Sequence, residues 1–174
     1  AAVGNTEEFA HQILTYTPAS WATGGAMNTA AQYVGNLGTQ TAAVKVSGIT
    51  EPGARTGTVE EYDGSSWSEV NNVNTTRSGG TGIGILTAGL FVSGTTGSVS
   101  TNVEEYDGTN WSEGTDVNTA RWGLAGSTAG TTTAALKFGG NPPASTAETE
   151  QWNGTSWTEV ADLNTGRNEL AGNG

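Results

Sequence analysis

The fold is decided by residues 59–77, which read VEEYDGSSWSEVNNVNTTR. The same pattern returns at 103–121 as VEEYDGTNWSEGTDVNTAR and at 149–167 as TEQWNGTSWTEVADLNTGR. A sequence that resembles itself at a fixed interval of about 20 to 50 residues is typical of proteins built from repeated structural units. We therefore expect one repeated architecture to account for the whole chain.

Four tryptophans mark the repeat, since Trp21, Trp67, Trp111 and Trp157 are separated by 46, 44 and 46 residues. An aromatic residue stands five positions before each of them, namely Tyr16, Tyr62, Tyr106 and Trp152. An asparagine stands seven positions after each of them, namely Asn28, Asn74, Asn118 and Asn164. Ten positions after the last three stand Arg77, Arg121 and Arg167, whereas the first unit has Ala31 there and is the degenerate one.

Each repeat predicts four strands. The alternating run before Asp63-Gly64 ends at an aromatic residue, and Asp-Gly between two β-prone runs is a strong hairpin signal. A Gly-rich strand after the arginine, an apolar strand ending in small residues, a strand ending at the aromatic and a strand opened by the tryptophan make up the unit. Four strands in 44 to 46 residues are typical of one blade of a β-propeller. The predicted fold is all-β, a propeller of about four blades, or more if the chain forms part of a larger ring.

The repeat also predicts the organisation of the chain. The predicted segments are an arm or the end of a preceding blade at 1–9, a partial unit at 10–31, full units at 32–77, 78–121 and 122–167, and the first strand of a closing blade at 168–174. In this scheme the two ends of the chain complete one blade together. That blade lacks a second strand, so blade number and closure within one chain are left open.

Composition excludes several classes of protein. The chain has 174 residues, of which 34% are hydrophobic, 13% are charged and 27 are glycine, which does not fit a helical bundle. Six Lys and Arg against 17 Asp and Glu give a net charge of -11, which repels nucleic acid. No apolar run approaches the roughly 20 residues of a membrane-spanning helix, so we expect no membrane insertion.

Candidate catalytic residues are few. His11 is the only histidine, in the degenerate unit, so a serine triad is not expected. The pairs Glu60-Glu61 and Glu104-Glu105 point to opposite faces of a strand and recur, which favours an architectural role over a glycosidase pair. Asp63 and Asp107 lack the dense acidic spacing of calcium loops. We therefore predict no catalytic, cofactor or metal site, and no enzyme activity.

The three repeated arginines allow two interpretations. They precede the innermost strands, so a ring of guanidinium groups at a channel mouth would bind an anion. Alternatively, each arginine pairs with a carboxylate or carbonyl of its own or a neighbouring blade through its forked donors, which we favour. Recognition is expected in the loops that differ most between units, at 49–58, 95–102 and 141–147.

The last unit resembles the kelch repeat. Phe138-Gly139-Gly140 is followed by Trp152 and Trp157, with Asn164 and Arg167 beyond, and the kelch repeat places a glycine pair at the end of its second strand before an aromatic residue and a tryptophan. The other units keep one glycine, in Ser47-Gly48 and Ser93-Gly94. The resemblance covers residues 10–174 and implies a divergent, kelch-like β-propeller.

A second resemblance concerns residues 20–25, 118–121 and 132–136, which are rich in Gly, Thr and Ala. These segments look like the repeats in virion proteins of tailed, notably marine, bacteriophages. It implies a structural or adhesion role in a tail, fibre or decoration protein of the particle. The implied partners are other virion proteins or a glycan or protein of the host surface, with homo-oligomers possible. The alternatives are a cellular or secreted carbohydrate- or protein-binding module and, less favoured, a glycan-processing enzyme.

Overall fold

The computed structural model describes residues 24–127, 129–141 and 143–172. The predicted arm at 1–9 and the predicted positions of His11, Tyr16 and Trp21 lie outside the described residues. The described part contains twelve strands and no helix, in three four-stranded antiparallel sheets. The all-β prediction is therefore confirmed.

Each sheet takes its four strands from consecutive chain segments. Sheet 1 contains β1 (Gly35–Thr39), β2 (Ala42–Thr50), β3 (Ala54–Tyr62) and β4 (Trp67–Val70). Sheet 2 contains β5 (Thr81–Ile85), β6 (Ala88–Val92), β7 (Val103–Tyr106) and β8 (Trp111–Glu113). Sheet 3 contains β9 (Ala125–Gly126), β10 (Ala135–Phe138), β11 (Thr149–Trp152) and β12 (Trp157–Val160). The spatial order of the strands follows their order in the sequence.

The predicted strand order within a unit is confirmed. The third strand of each sheet ends at the aromatic residue, the fourth begins at the tryptophan, and these two residues are paired across the hairpin. In sheet 1 the four-residue loop between Tyr62 and Trp67 is held by the Asp63 carboxylate, which accepts hydrogen bonds of 2.8 Å from the backbone N–H groups of Ser65 and Ser66. Gly64 has a φ of 96°, a conformation that favours glycine. Local chemistry thus closes the hairpin.

The hydrophobic core lies between the sheets. One cluster combines residues of sheet 1 with three residues of sheet 2, Phe91, Tyr106 and Trp111. A second cluster combines residues of sheet 2 with Ala135, Trp152 and Trp157 of sheet 3. Because sheets 2 and 3 each bury aromatic residues against the preceding sheet, contacts between neighbouring units carry much of the stability, as in repeat proteins generally.

The first strands of the three sheets lie beside one another. A Cβ atom at Gly82 of β5 would overlap the backbone carbonyl of Asn36 in β1, so only glycine allows this approach. A series of backbone hydrogen bonds runs along equivalent positions, from Gly79 N–H to Tyr33 C=O (2.8 Å), from Gly123 N–H to Gly79 C=O (2.8 Å) and from Glu169 N–H to Gly123 C=O (2.6 Å). Residues 169–172 therefore continue the arrangement as the start of a fourth unit.

A cavity of about 160 Å³ lies where these segments meet, and its lining comes from residues 34–36, 80–82, 124–126 and 170–172. The four segments occupy equivalent places in successive repeats. The described residues complete three sheets and do not form a closed ring. The assignment of the units as blades of a propeller stays a prediction at this level.

Candidate functional site

Three buried glutamates, one in the third strand of each sheet, are held by the chain segment that precedes that sheet. Glu60, Glu104 and Glu150 are at most 1% exposed. Each accepts two backbone N–H hydrogen bonds of 2.6 to 3.2 Å, and the donors are Asn28 and Thr29, Asn74 and Thr75, and Asn118 and Thr119, respectively. We call each such arrangement a clasp, because the end of one unit is hydrogen-bonded to the buried glutamate of the next sheet.

Arginine completes the second and third clasps. Arg77 pairs with Glu104, and Arg121 pairs with Glu150 at 2.8 Å. Both arginine side chains are 0% exposed. The remaining donors of Arg77 reach backbone carbonyl oxygens of Ser93 and Phe91, each at 2.9 Å. Arg77 and Arg121 therefore do not form a ring of guanidinium groups at a channel mouth. Both side chains pair with carboxylates inside the protein.

The repeated asparagines and tryptophans belong to the same clasps. The side-chain amides of Asn28, Asn74 and Asn118 donate to the backbone carbonyls of Trp67, Trp111 and Trp157 at 2.9 to 3.1 Å. The indole N–H groups of these tryptophans donate back to the carbonyls of Gly25, Asn71 and Thr115 at 3.1 to 3.2 Å. The asparagine of one unit thus binds the tryptophan of the next unit, a pairing that the spacing alone did not reveal.

The three clasps differ in the residue that lies opposite the buried glutamate and in the cation that pairs with it. Opposite the glutamate stands Lys45 in sheet 1, Phe91 in sheet 2 and Lys137 in sheet 3. In sheet 1, where Ala31 replaces the arginine, the Lys45 Nζ atom lies 3.8 Å from Glu60. In sheet 3 the Lys137 Nζ atom lies 2.8 Å from Glu150, beside Arg121. A buried cation therefore accompanies every buried glutamate, as the cost of burying an unpaired charge requires.

Burial and pairing shift the pKa values in the third clasp. Burial lowers the pKa of Lys137 to about 8, although its hydrogen bond to Glu150 acts in the opposite direction. Burial alone would raise the pKa of Glu150, but the hydrogen bond and charge of Lys137, with further help from Asn118 and Arg121, lower it on balance from 4.5. The carboxylate is therefore ionised at neutral pH in the folded protein.

We expect stability to fall in acid because of this clasp. The folded-state pKa of Glu150 lies below its ordinary value of 4.5, so its contribution is present above pH 4.5 and is lost as the pH falls through the folded-state value. Urea unfolding at a series of pH values from 7 to 3 measures this loss. The difference in free energy of unfolding between the wild-type protein and Glu150→Gln should shrink as the pH falls, and a constant difference would contradict the assignment.

The face of sheet 3 that would receive a further sheet is open among the described residues. We call it the trailing face, and it combines Leu136 and Phe138 of β10 with Leu163, Asn164 and Arg167 of the segment that follows β12. The equivalent apolar residues of sheets 1 and 2 are covered by the next sheet, whereas Leu136 is 37% exposed. The Arg167 backbone is placed like that of Arg121, since its carbonyl accepts from Gly140 N–H at 2.7 Å. No carboxylate of the described residues lies within 4 Å of its exposed guanidinium.

A cleft of about 310 Å³ opens where the variable loops meet the starts of the first strands. We call it the loop-end cleft, and it is lined by Tyr33, Ile49, Arg55, Ser78, Gly79, Thr95 and Trp122. The prediction of a loop at 49–58 is wrong at both ends, because Ile49 belongs to β2 and Arg55 to β3, and the two residues pair across the hairpin. Thr95 comes from the second predicted loop, at 95–102. Trp122 pairs through its backbone with Asn141, which begins the third. The segments that differ most between units, including this hairpin, therefore meet around one cleft.

The residues that shape this cleft break the repeat. Tyr33 stands where the next two units have Gly79 and Gly123, and it keeps a φ of 54°, which a side chain disfavours. Trp122 stands where the preceding unit has Ser78. The two rings form an edge-to-face pair with centroids 6.3 Å apart, and Tyr33 is 47% exposed. These aromatic residues are not needed for the clasps, which makes the cleft the candidate functional site.

Arg55 gives the cleft a positive charge that is rare on this protein. The chain has six Lys and Arg residues, and four of them, Lys45, Arg77, Arg121 and Lys137, are buried beside glutamates. Arg55 and Arg167 are the two exposed ones. No carboxylate within the described part of the chain pairs with Arg55 at 4 Å or less. Its guanidinium is therefore available to an anionic group of a ligand.

The remaining predicted candidates have structural partners or lie elsewhere. The Asp63 and Asp107 carboxylates cap their own hairpin loops, and hydrogen bonds from the loop N–H groups hold the pKa of both well below the ordinary range. In residues 24–127, 129–141 and 143–172, no group of three His, Asp or Glu side chains is arranged to hold a metal ion. None of the described segments contains a helix that is long and apolar enough to cross a membrane.

Comparison with protein families found no family model that matches the chain. Comparison with curated proteins found no match either. The function must therefore be inferred from the clasps, the trailing face and the loop-end cleft.

Proposed function

We propose that the chain forms a four-bladed, kelch-like β-propeller whose fourth blade is assembled from both ends. Residues 169–172 support this proposal, since Glu169 N–H donates to Gly123 C=O at 2.6 Å and residues 170–172 line the same cavity as β9. The spacing of Tyr16 and Trp21 predicts the third and fourth strands of that blade from residues 10–23. The trailing face has the apolar residues with which sheets 1 and 2 receive their neighbours. Packing residues 10–23 onto it would close the ring around the cavity shared by the four segments.

We propose further that the propeller is a non-catalytic docking module. The observation that carries this proposal is the separation of shared and variable residues: those that recur in every unit hold neighbouring sheets together, and those that differ surround the loop-end cleft. The carboxylates that a glycosidase would need are used differently, because Glu60 and Glu104 are buried in clasps. A rigid frame with variable loops at one end is a common design for recognition.

The setting we propose is a bacteriophage particle, where the module serves as a structural or adhesion component of a tail, fibre or decoration protein. The Gly-, Thr- and Ala-rich repeats of the sequence support this setting. Its partners there are other virion proteins or a glycan or protein of the host surface. The aromatic cleft also suits the second candidate function, a cellular or secreted carbohydrate- or protein-binding module.

Density-gradient purification of particles from a culture that produces the protein separates these two settings. A virion component is expected to band with the particles at a fixed ratio to the major capsid protein and to stay bound through repeated banding. A host cytosolic protein serves as the control for trapped material. Recovery of the chain only in the particle-free fraction would overturn the virion setting and favour the secreted module.

A further inference from the structure

We propose that the loop-end cleft binds a short saccharide that carries one carboxylate, such as a disaccharide ending in a uronic acid. This inference rests on the proposed docking function and names the chemistry of the ligand. Three features of the cleft lead to it: an exposed aromatic corner, a guanidinium that pairs with no carboxylate of the described residues, and a backbone that is already hydrogen-bonded.

The aromatic corner is formed by Tyr33 and Trp122, whose ring planes meet at 77°. A pyranose ring has apolar C–H groups on its faces and hydroxyl groups at its edges. One aromatic ring can therefore cover a sugar face while the hydroxyl of Tyr33 meets its edge, and small-ligand sites combine apolar walls with a few polar groups in this way. The corner is present although Gly79 takes the place of Tyr33 in the next unit and Ser78 takes the place of Trp122 in the preceding unit, so the frame does not require it.

The exposed guanidinium of Arg55 selects for a carboxylate, which it can bind through two parallel hydrogen bonds. The rest of the protein carries a large excess of negative charge, with a net value of -11. A polyanion would be repelled by that field, whereas a single carboxylate placed against Arg55 gains a favourable contact at close range. A ligand with one acidic group therefore fits better than a phosphate-rich or polyuronic chain.

The backbone around the cleft is already paired, which argues against an extended peptide added as a strand. Ser78 and Thr95 exchange both of their backbone hydrogen bonds, at 3.0 and 2.8 Å, and Gly79 donates to Tyr33. A ligand must therefore bind through side chains. The cleft volume of about 310 Å³ is at the small end of the range for ligand sites, which suits one or two sugar rings.

Isothermal titration calorimetry with cellobiouronic acid and cellobiose tests the proposal, because the two sugars differ only in the oxidation of one C6 group. We expect the acidic sugar to bind about tenfold more tightly, the size of effect that a charge-assisted hydrogen bond gives. Arg55→Gln should remove this preference and leave the weaker binding of cellobiose. Arg167→Gln, which changes the other exposed arginine, should leave both affinities unchanged.

The aromatic corner is tested with Tyr33→Gly and Trp122→Ser, which introduce the residues that the next and the preceding unit carry at the same positions. Both variants should fold, as judged by circular dichroism, and should lose binding of both sugars. Equal binding of the two sugars by the wild-type protein would overturn the role of the carboxylate, and binding of neither would overturn the saccharide. Adsorption of wild-type and Tyr33→Gly protein to host cells then separates the two proposals: a difference keeps the cleft as a docking site for another ligand, and no difference removes that role.

Discussion

Replacing Glu104 with glutamine is expected to lower the free energy of unfolding by about 3 to 5 kcal/mol, the usual cost of removing one partner of a buried ion pair. Glu104 is fully buried and accepts hydrogen bonds from Asn74, Thr75 and Arg77. Glutamine has nearly the same shape but presents an amide group to donors and leaves the buried guanidinium without a counter-charge. Urea unfolding followed by tryptophan fluorescence measures the loss.

The neighbouring residue supplies the matched control. Glu105 lies on the same strand but on the other face, is only partly buried and belongs to no clasp. Glu105→Gln should change the free energy of unfolding by only about 0.5 kcal/mol, as surface substitutions usually do. Similar losses for the two variants would show that the clasp is not what stabilises the junction between sheets 1 and 2.

Trp111→Ala is expected to cost a similar amount, about 3 to 5 kcal/mol, because it removes the largest side chain from the same junction. The Trp111 ring is 7% exposed and stacks on Tyr106 with centroids 4.6 Å apart. Its indole N–H also donates to the Asn71 carbonyl at 3.1 Å, so a carbonyl of the preceding unit loses its partner. Thermal and urea unfolding should both show the loss.

Trp67 occupies the same place in the repeat and provides the comparison. It is more exposed than Trp111 and lies against residues 24–28, where its indole N–H donates to the Gly25 carbonyl at 3.2 Å. Trp67→Ala should therefore cost clearly less than Trp111→Ala. Equal losses would mean that the stability comes from within each hairpin, and not from the packing of one sheet on the next.

Local signals in the sequence were enough to predict the unit. The Asp-Gly dipeptide, the aromatic residue before it and the tryptophan after it are all used within one hairpin, so the pattern fixes two strands and their register. The apolar run that ends at Gly48 or Gly94 became the second strand, and the Gly-rich stretch after the arginine became the first. The four-strand order is therefore readable from residues that are close together along the chain.

The clasps and the cleft could not be predicted in the same way. Arg77 and Glu104 are 27 residues apart and belong to different units, and only the packing of sheets shows that the tail of one unit grips the next. One signal was present, since a glutamate stands two residues before the aromatic in all three complete sheets. In two of them a second glutamate follows directly, at Glu61 and Glu105, so the sequence alone does not show which one is buried. The cleft was even harder to predict, because Tyr33 and Trp122, which shape it, are residues that do not follow the repeat.

Closure of the four units into a ring can be tested at one position, Leu14. The clasp glutamate stands two residues before the aromatic in sheets 1 to 3, and the residue two before Tyr16 is Leu14. A ring closed by residues 10–23 would therefore place Leu14 opposite Arg167, the arginine of the open trailing face. Leu14→Glu would supply the carboxylate that the fourth junction lacks.

A double-mutant cycle between Leu14→Glu and Arg167→Ala, measured by urea unfolding, tests most directly the claim that each unit grips the next around a common axis. Closure predicts that Leu14→Glu is more favourable with Arg167 present than without it, by a coupling energy of about 1 to 3 kcal/mol, as for other residues in direct contact. The same effect of Leu14→Glu in both backgrounds would show that residues 10–23 do not lie against the trailing face, and would contradict the closed four-unit ring.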